Sequence, residues 1–321
     1  MKPSLPLDMR RRAVREIAGD RTLGLPQGQS MGYEEDLGAA TRTRRSALAL
    51  PFAAFAAGAV MPSLAGCGAS LSSGGSGPQP TPEPRELVLM VAASLTDAFA
   101  AMGDDSPRQP GLAGIKLVLN AGASSQLRAQ LEQGAPADLY ASADTVQMEQ
   151  AVRAGLIQGI PRIFARNRLV VIVSKENRAR VASPADLVKP GLRLVTTPKE
   201  VPIGAYTRQA LEKMASDPQY GAGFDRKVLA NVVSEEANVR QVVTKVHLGE
   251  ADAGIVYASD VITKVDVQTI PIPDRFNVVA EYPIGVVRSA KAPALARRFI
   301  EYLLSTPGQS VLEKHNFIPV H

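Results

Sequence analysis

From residue 85 onward, short strand-like runs, mostly apolar, alternate with stretches in which apolar residues recur every three or four positions. The strand-like runs predict strands at 87–92, 115–119, 137–141, 168–174, 192–196, 253–257 and 282–287. The periodic stretches predict helices at 95–103, 124–133, 144–154, 204–215, 238–248, 258–264 and 292–304, and a short closing one at 307–315. Strand followed by helix, repeated, marks an α/β protein with parallel sheets. The run at 167–173 (NRLVVIV) starts a second α/β unit, and 282–287 (YPIGVV) reads as a return strand to the first. A chain that leaves one lobe, builds another and comes back makes two lobes joined by two crossings. The cleft between such lobes is the usual seat of a small ligand.

The segment ahead of this pattern is of another kind. Residues 42–67 (RTRRSALALPFAAFAAGAVMPSLAGC) put Arg42, Arg44 and Arg45 before an uncharged run ending in small residues, the layout of an export signal. The run is long enough to span a membrane, but Pro51, Pro62 and its alanine content argue against a stable spanning helix. Its end, Leu64-Ala65-Gly66-Cys67, resembles the lipobox of bacterial lipoproteins, in which the cysteine becomes the acylated first residue. Residues 68–85 follow as a Gly/Ser and then Pro-rich linker, suited to holding a domain near a membrane. The expectation is an exported protein, in the periplasm or on the outer face of the cell membrane, anchored by lipid at Cys67. Residues 1–41 read as an extension ahead of the signal, either disordered or lying before the true start, for which Met31 is the candidate.

Composition narrows the function. The formal charge of +5 is divided into +3 over residues 1–67 and +2 over the rest, so the folded part is nearly neutral. It has no basic stripe interleaved with aromatics, which excludes nucleic acid as the expected partner. One cysteine and three scattered histidines (His247, His315, His321) provide neither an intrachain disulfide nor a metal-ligand cluster. No cofactor is expected.

Five places could carry binding chemistry. Ser94 and Ser124 each sit where a strand gives way to a helix and are flanked by Ala and Gly that permit close backbone approach. The first N–H groups of a helix are unpaired and its dipole is positive there, so a hydroxyl adds one more donor for an anion. Each serine is equally readable as a plain N-cap. In EVPIGAYTRQAL (200–211), Pro202 and Gly204 open a helix and leave the Ile203 amide facing outward. In EEANVRQVV (235–243), Asn238 and Val239 begin another helix, which an ordinary helix start explains as well. In ADAGIVYASD (251–260) a strand ends at Tyr257, where a core tyrosine with a satisfied hydroxyl is the ordinary explanation. None of the five is charged. A site of neutral donors accepts a fully deprotonated oxyanion and rejects a protonated one, whose O–H meets another donor. Asp97 is the one nearby acceptor; it falls in a helix's first turn, where the dipole stabilises an acid, and is read as structural.

Taken in order, AASLTDAF (92–99), AGASSQLRAQLEQGAPADLYASAD (121–144), VPIGAY (201–206) and ADAGIVYASD resemble the substrate-binding proteins of bacterial molybdate ABC transporters. The resemblance runs from about Glu86 to Phe317. It implies an α/β periplasmic-binding-protein fold of type II, with lobe one from 86–166 and 282–321 and lobe two from 167–281. It implies further that Ser94 and Ser124 bind the anion through hydroxyl and amide, Ile203 and Val239 through backbone amides, and Tyr257 through its phenol. The implied guest is molybdate or tungstate, held between the closed lobes with sulfate excluded by size. The implied partners are a molybdate ABC permease and its ATPase, the binding protein being a monomer. Ile203 is bulkier than the alanine expected there; the amide is the same, but the wall is larger.

Two other readings compete. A binding protein for another tetrahedral oxyanion, such as sulfate, or one selective for tungstate, shares every donor. An enzyme built on Ser94 or Ser124 needs a nearby base, and outside the C-terminal tail the only histidine is His247, late in a helix, with no G-x-S-x-G elbow. The chain is accordingly read as a binding protein and not an enzyme.

Overall fold

The computed structural model describes residues 85–261 and 266–320. The extension, the export signal, the lipid-attachment Cys67 and the linker up to residue 84 lie outside the described residues. Among those described, no helix is long and apolar enough to cross a membrane.

Two five-stranded sheets carry the chain. The first is built from β1 (Arg85–Ala92), β2 (Ile115–Gly122), β3 (Leu139–Ala141), β4 (Ile157–Asn167) and β10 (Ala280–Val287), in the order β2-β1-β3-β10-β4. The second uses β5 (Leu169–Ser174), β6 (Leu194–Thr196), β7 (Val232–Glu235), β8 (Ala253–Tyr257) and β9 (Val267–Pro271), in the order β7-β6-β8-β5-β9. The chain crosses between them twice, between Asn167 and Leu169 and again between Pro271 and Ala280. This is the two-lobed α/β architecture expected.

Both sheets are mixed rather than parallel. β1 runs parallel to β2 and β3, but β10 enters between β3 and β4 antiparallel to both. In the second sheet β6 is parallel to β7 and β8, while β5 is antiparallel to β8 and β9. The crossings are the cause, since a strand that arrives from the other lobe without a crossover helix has no need to run parallel.

The apolar run of β1 is explained by cover on both faces. Leu87, Leu89 and Val91 are buried in one core with Phe99 and Met102 of α1 (Thr96–Asp105) and Phe299 of α7 (Pro293–Leu304). Met90 lies in a second cluster with Leu127 and Leu131 of α2 (Ser124–Glu132) and Met148 of α3 (Thr145–Arg153). Lobe two is covered by α4 (Pro202–Ala215), α5 (Phe224–Leu229) and α6 (Val239–His247), and α8 (Thr306–Lys314) closes the chain. Gly254 on β8 allows α6 to pack closely, because a Cβ there would stand 2.7 Å from Val242 Cγ1. Of the helix expected over 258–264, the described residues form a single 3-10 turn, Ala258–Asp260, after which Val261 leaves helical geometry with φ −104° and ψ 80°; 262–264 lie outside the described residues.

An arginine ties the lobes at the mouth of the cleft. Arg240 of α6 donates from Nε to the carbonyl of Ala93 at 3.2 Å and from Nη2 to Asp97 at the start of α1. Its Nε also stands 3.7 Å from Asp260 Oδ1. Asp260 is fully buried and its Oδ2 accepts the Tyr257 N–H at 3.1 Å, fixing the end of β8. Burial pushes the Asp260 carboxyl up to about 7, against the pull of Arg240 and of the Tyr257 N–H and with a small push from Asp97. The folded chain therefore keeps a proton that the unfolded chain releases near pH ~4, so this group costs stability as pH rises from about 4 to about 7. Asp260→Asn should erase that slope. Denaturant unfolding across the window should show the variant gaining on the parent by roughly 1–3 kcal/mol between its acid and neutral ends.

Candidate functional site

Every element that meets the cleft does so at the end of a strand or the start of a helix. In lobe one, β1 stops at Ala92 and a single 3-10 turn, Ala93–Leu95, carries Ser94 before α1 begins. β2 stops at Gly122, and α2 starts at Ser124 with Ala123 as N-cap. Beyond β3, Ala143 approaches the same point. In lobe two, Pro202 and Ile203 are the first two residues of α4, with Val201 as N-cap. Val239 is the first residue of α6, and Tyr257 the last of β8. Together these residues enclose a cavity of ≈ 20 Å³ between the lobes. That admits a guest of very few heavy atoms and no organic metabolite of ordinary size.

Ser94, Ser124, Ile203, Val239 and Tyr257 all line this one cavity, so the structure brings the five predicted residues together. Three helices, α2, α4 and α6, point their N-termini at it. Their first N–H groups have no acceptor within the helix, and their dipoles are positive at that end. Gly204, third in α4, makes its approach possible: a Cβ there would lie 2.1 Å from the Pro198 carbonyl oxygen and 2.5 Å from that of Thr197.

The hydroxyls are not arranged as expected for caps. The side chain of Ser124 caps no helix: its Oγ accepts the Ala143 N–H at 3.0 Å. A backbone N–H only donates, so the Ser124 proton is left for another acceptor. The backbone carbonyl of Ser124 is held in turn by Tyr140 Oη at 2.9 Å. Ser94 likewise caps nothing and its Oγ lies 3.0 Å from Tyr282 Oη. The true N-cap at this site is Asn238, whose side chain accepts from Arg240 N at 3.0 Å and Gln241 N at 3.3 Å. Val239 N–H, one residue earlier, takes no part in this cap, and Val239 lines the cavity.

Tyr257 departs furthest from its ordinary explanation. Its ring is in the core, 1% exposed, yet its hydroxyl is buried without a hydrogen-bond partner. Burial foremost, then the neighbouring Tyr282, Tyr206 and Asp144, raise its pKa well above the usual tyrosine value, so it remains a protonated donor. A buried donor without an acceptor costs about 1–3 kcal/mol and is uncommon in folded proteins. A guest oxygen in the cavity removes that cost.

No acidic or basic side chain lines the cavity. Asp97 is engaged by Arg240 across the cleft mouth rather than turned inward, so its role is larger than the helix-dipole one expected of it. Nothing in sequence marked this pairing, because the two residues are 143 positions apart and share no pattern. The Ala143 N–H that polarises Ser124 was equally hidden in the turn after β3. Among the described residues no three His, Cys, Asp or Glu side chains are grouped to hold a metal ion. Neither serine touches a base: His247 is exposed at the far end of α6 from Val239. The arrangement is one for holding a deprotonated oxyanion by donors alone.

The model of the bacterial extracellular solute-binding protein family matches residues 87–318. The molybdate-binding protein ModA of Mycobacterium tuberculosis is 36% identical over 255 residues, covering 79% of this chain and 92% of that protein. Among solved structures, the substrate-binding domain of a putative molybdenum ABC transporter from Clostridium difficile aligns with a TM-score of 0.56 at 29% identity. That alignment covers 74% of this chain and 99% of that one. The periplasmic molybdate-binding protein of Azotobacter vinelandii shares the fold, with a TM-score of 0.64 at 19% identity over 73% of this chain and all of that one. A family match across nearly all of the two-lobed region, on a fold whose strand ends converge on one small cleft, places the chain in the bacterial extracellular solute-binding protein family.

Proposed function

We propose that the protein captures molybdate, with tungstate as a second guest, and hands it to an ABC permease driven by its ATPase. The observation that carries this reading is the unpartnered Tyr257 hydroxyl, which faces a cavity lined by neutral groups from both lobes. In the proposed complex the Ser94 and Ser124 hydroxyls and amides, the Ile203 and Val239 amides and the Tyr257 phenol donate to the anion's oxygens. Charge-assisted hydrogen bonds contribute roughly 1.5–3 kcal/mol each. About seven of them, less association and closure costs of ~4 kcal/mol or more, support sub-micromolar to nanomolar binding. The relatives named for molybdate support this guest. A second oxyanion such as sulfate uses the same donors, and cavity size is what discriminates.

A member of an extracellular solute-binding family is an exported protein. We propose a lipid anchor at Cys67, a monomeric state and a purely binding role without catalysis. Capture requires the lobes to close over the guest, and Arg240 is placed to hold them closed by joining α6 to Ala93 and Asp97.

Three outcomes are expected. Titration calorimetry of the purified protein should show molybdate and tungstate binding tightly, sulfate at least about tenfold more weakly, and phosphate, which keeps a proton near neutral pH, not measurably. Equal affinity for sulfate and molybdate rejects the assignment of guest. Ser124→Ala and Tyr257→Phe should each weaken molybdate binding by roughly 1–3 kcal/mol, and unchanged affinity in both places the site elsewhere. Arg240→Gln should speed molybdate release, by about 1 kcal/mol of lost closure given its partial exposure. Release can be followed by tyrosine fluorescence, since the chain has no tryptophan.

A further inference from the structure

We propose that Asn167 and Tyr282 are positioning residues that fix the direction of the Ser94 hydroxyl, making it a donor into the cleft. This rests on the oxyanion-binding reading above and extends it to two residues that do not themselves line the cavity.

A serine hydroxyl beside a phenol is ambiguous, because either oxygen can donate to the other. If Ser94 donated to Tyr282, it would offer an anion only lone pairs, and the contact would be repulsive. The neighbouring groups remove the ambiguity. The backbone N–H of Arg168 donates to Asn167 Oδ1 at 2.9 Å, and since that N–H cannot accept, the atom it meets is the amide oxygen. Asn167 Nδ2 then faces the other way and donates to Ser259 Oγ at 2.8 Å and to Tyr282 Oη at 3.4 Å. An amide nitrogen only donates, so Tyr282 Oη accepts there. Its own proton has one partner left, Ser94 Oγ at 3.0 Å. Ser94 accepts that proton, and its own O–H is directed to the cavity it lines.

The chain of bonds is buried and closely packed. Asn167 and Tyr282 are both fully buried. The Tyr282 ring is packed edge-on against Phe164, Tyr257 and Phe317, with ring centroids 6.4, 5.7 and 5.4 Å away. Burial also holds the Tyr282 phenol protonated, with its pKa well above the ordinary value, so it does not lose the proton it passes on. Both residues sit at the crossings: Asn167 ends β4 where the chain leaves lobe one, and Tyr282 lies on β10 just after it returns. The backbone amide that sets the whole direction belongs to Arg168, the single residue between β4 and β5. Ser124 reaches the same polarity by a shorter route, through the Ala143 N–H.

The test is a double-mutant cycle read by molybdate calorimetry on the purified protein. Tyr282→Phe keeps the ring and its packing and removes only the hydroxyl. It should weaken binding about 3- to 10-fold in the parent and less than about 2-fold in a Ser94→Ala background, because its effect passes through Ser94. Asn167→Ala, which leaves Tyr282 free to turn, should give a smaller loss that also vanishes once Ser94 is alanine. Either variant carries the test alone should the other fail to fold. Parent-like affinity of Tyr282→Phe, or an equal loss with and without Ser94, overturns the proposal while leaving molybdate capture intact. A parent protein that binds no tetrahedral oxyanion overturns both.

Discussion

A hydrogen-bond donor buried without an acceptor is a debt that the rest of a fold has to carry, and this protein collects several at one point. Tyr257 ends its strand with a phenol that meets nothing, two serines are turned outward by donors behind them, and three helices begin there. Each of these is unfavourable by itself. What keeps them together is the packing around them: apolar strands covered on both faces, a glycine that lets α4 start against a backbone carbonyl, and the Arg240 bridge across the mouth. The site is therefore prepared by the fold and completed by its guest. Electrostatic attraction plays its part through dipoles rather than full charges, which makes the site sensitive to where the guest's protons are and not only to its net charge.

The same geometry explains why the lobes are built as they are. In an α/β sheet the loops leaving the carboxyl ends of the strands form the natural crevice. Here β1, β2, β3 and β8 all deliver their last residues or the turn after them to it, while α4 and α6 follow β6 and β7. Dividing the donors between the two sheets means that neither lobe alone can surround a small guest. Closure is then a condition of tight binding, and Arg240, which touches both lobes without touching the cavity, ties that closure to the site's rim.

Much of this was legible in the sequence because its signals are local. The runs at 87–92 and 253–257 are unbroken and apolar, that at 115–119 is broken only by Lys116, and all three are strands. The missed strands were edges: β4 contains Gly159 and Pro161 and is mostly exposed over its first half, β7 has four residues, and β9 alternates without a clear apolar face. Edge strands tolerate proline and polar residues, so they carry little pattern to read. The parallel sheet inferred from strand–helix alternation was wrong for β5 and β10, whose direction is set by the crossings. At the site, the five residues could be picked from their places at strand ends and helix starts. Their hydrogen bonds could not, because Asn238 rather than a serine does the capping, and the partners of Ser94, Ser124 and Asp97 lie 188, 19 and 143 positions away.

The position of β10 has a consequence for how this chain can be made. It lies between β3 and β4, and β4 pairs with no other strand of its sheet. The first lobe is thus left with a gap through its middle until residues 280–287 arrive, after the whole of the second lobe has been synthesised. Pairing over such sequence distances is slow to form. A nascent chain emerging from the ribosome spends that interval without a finished first sheet.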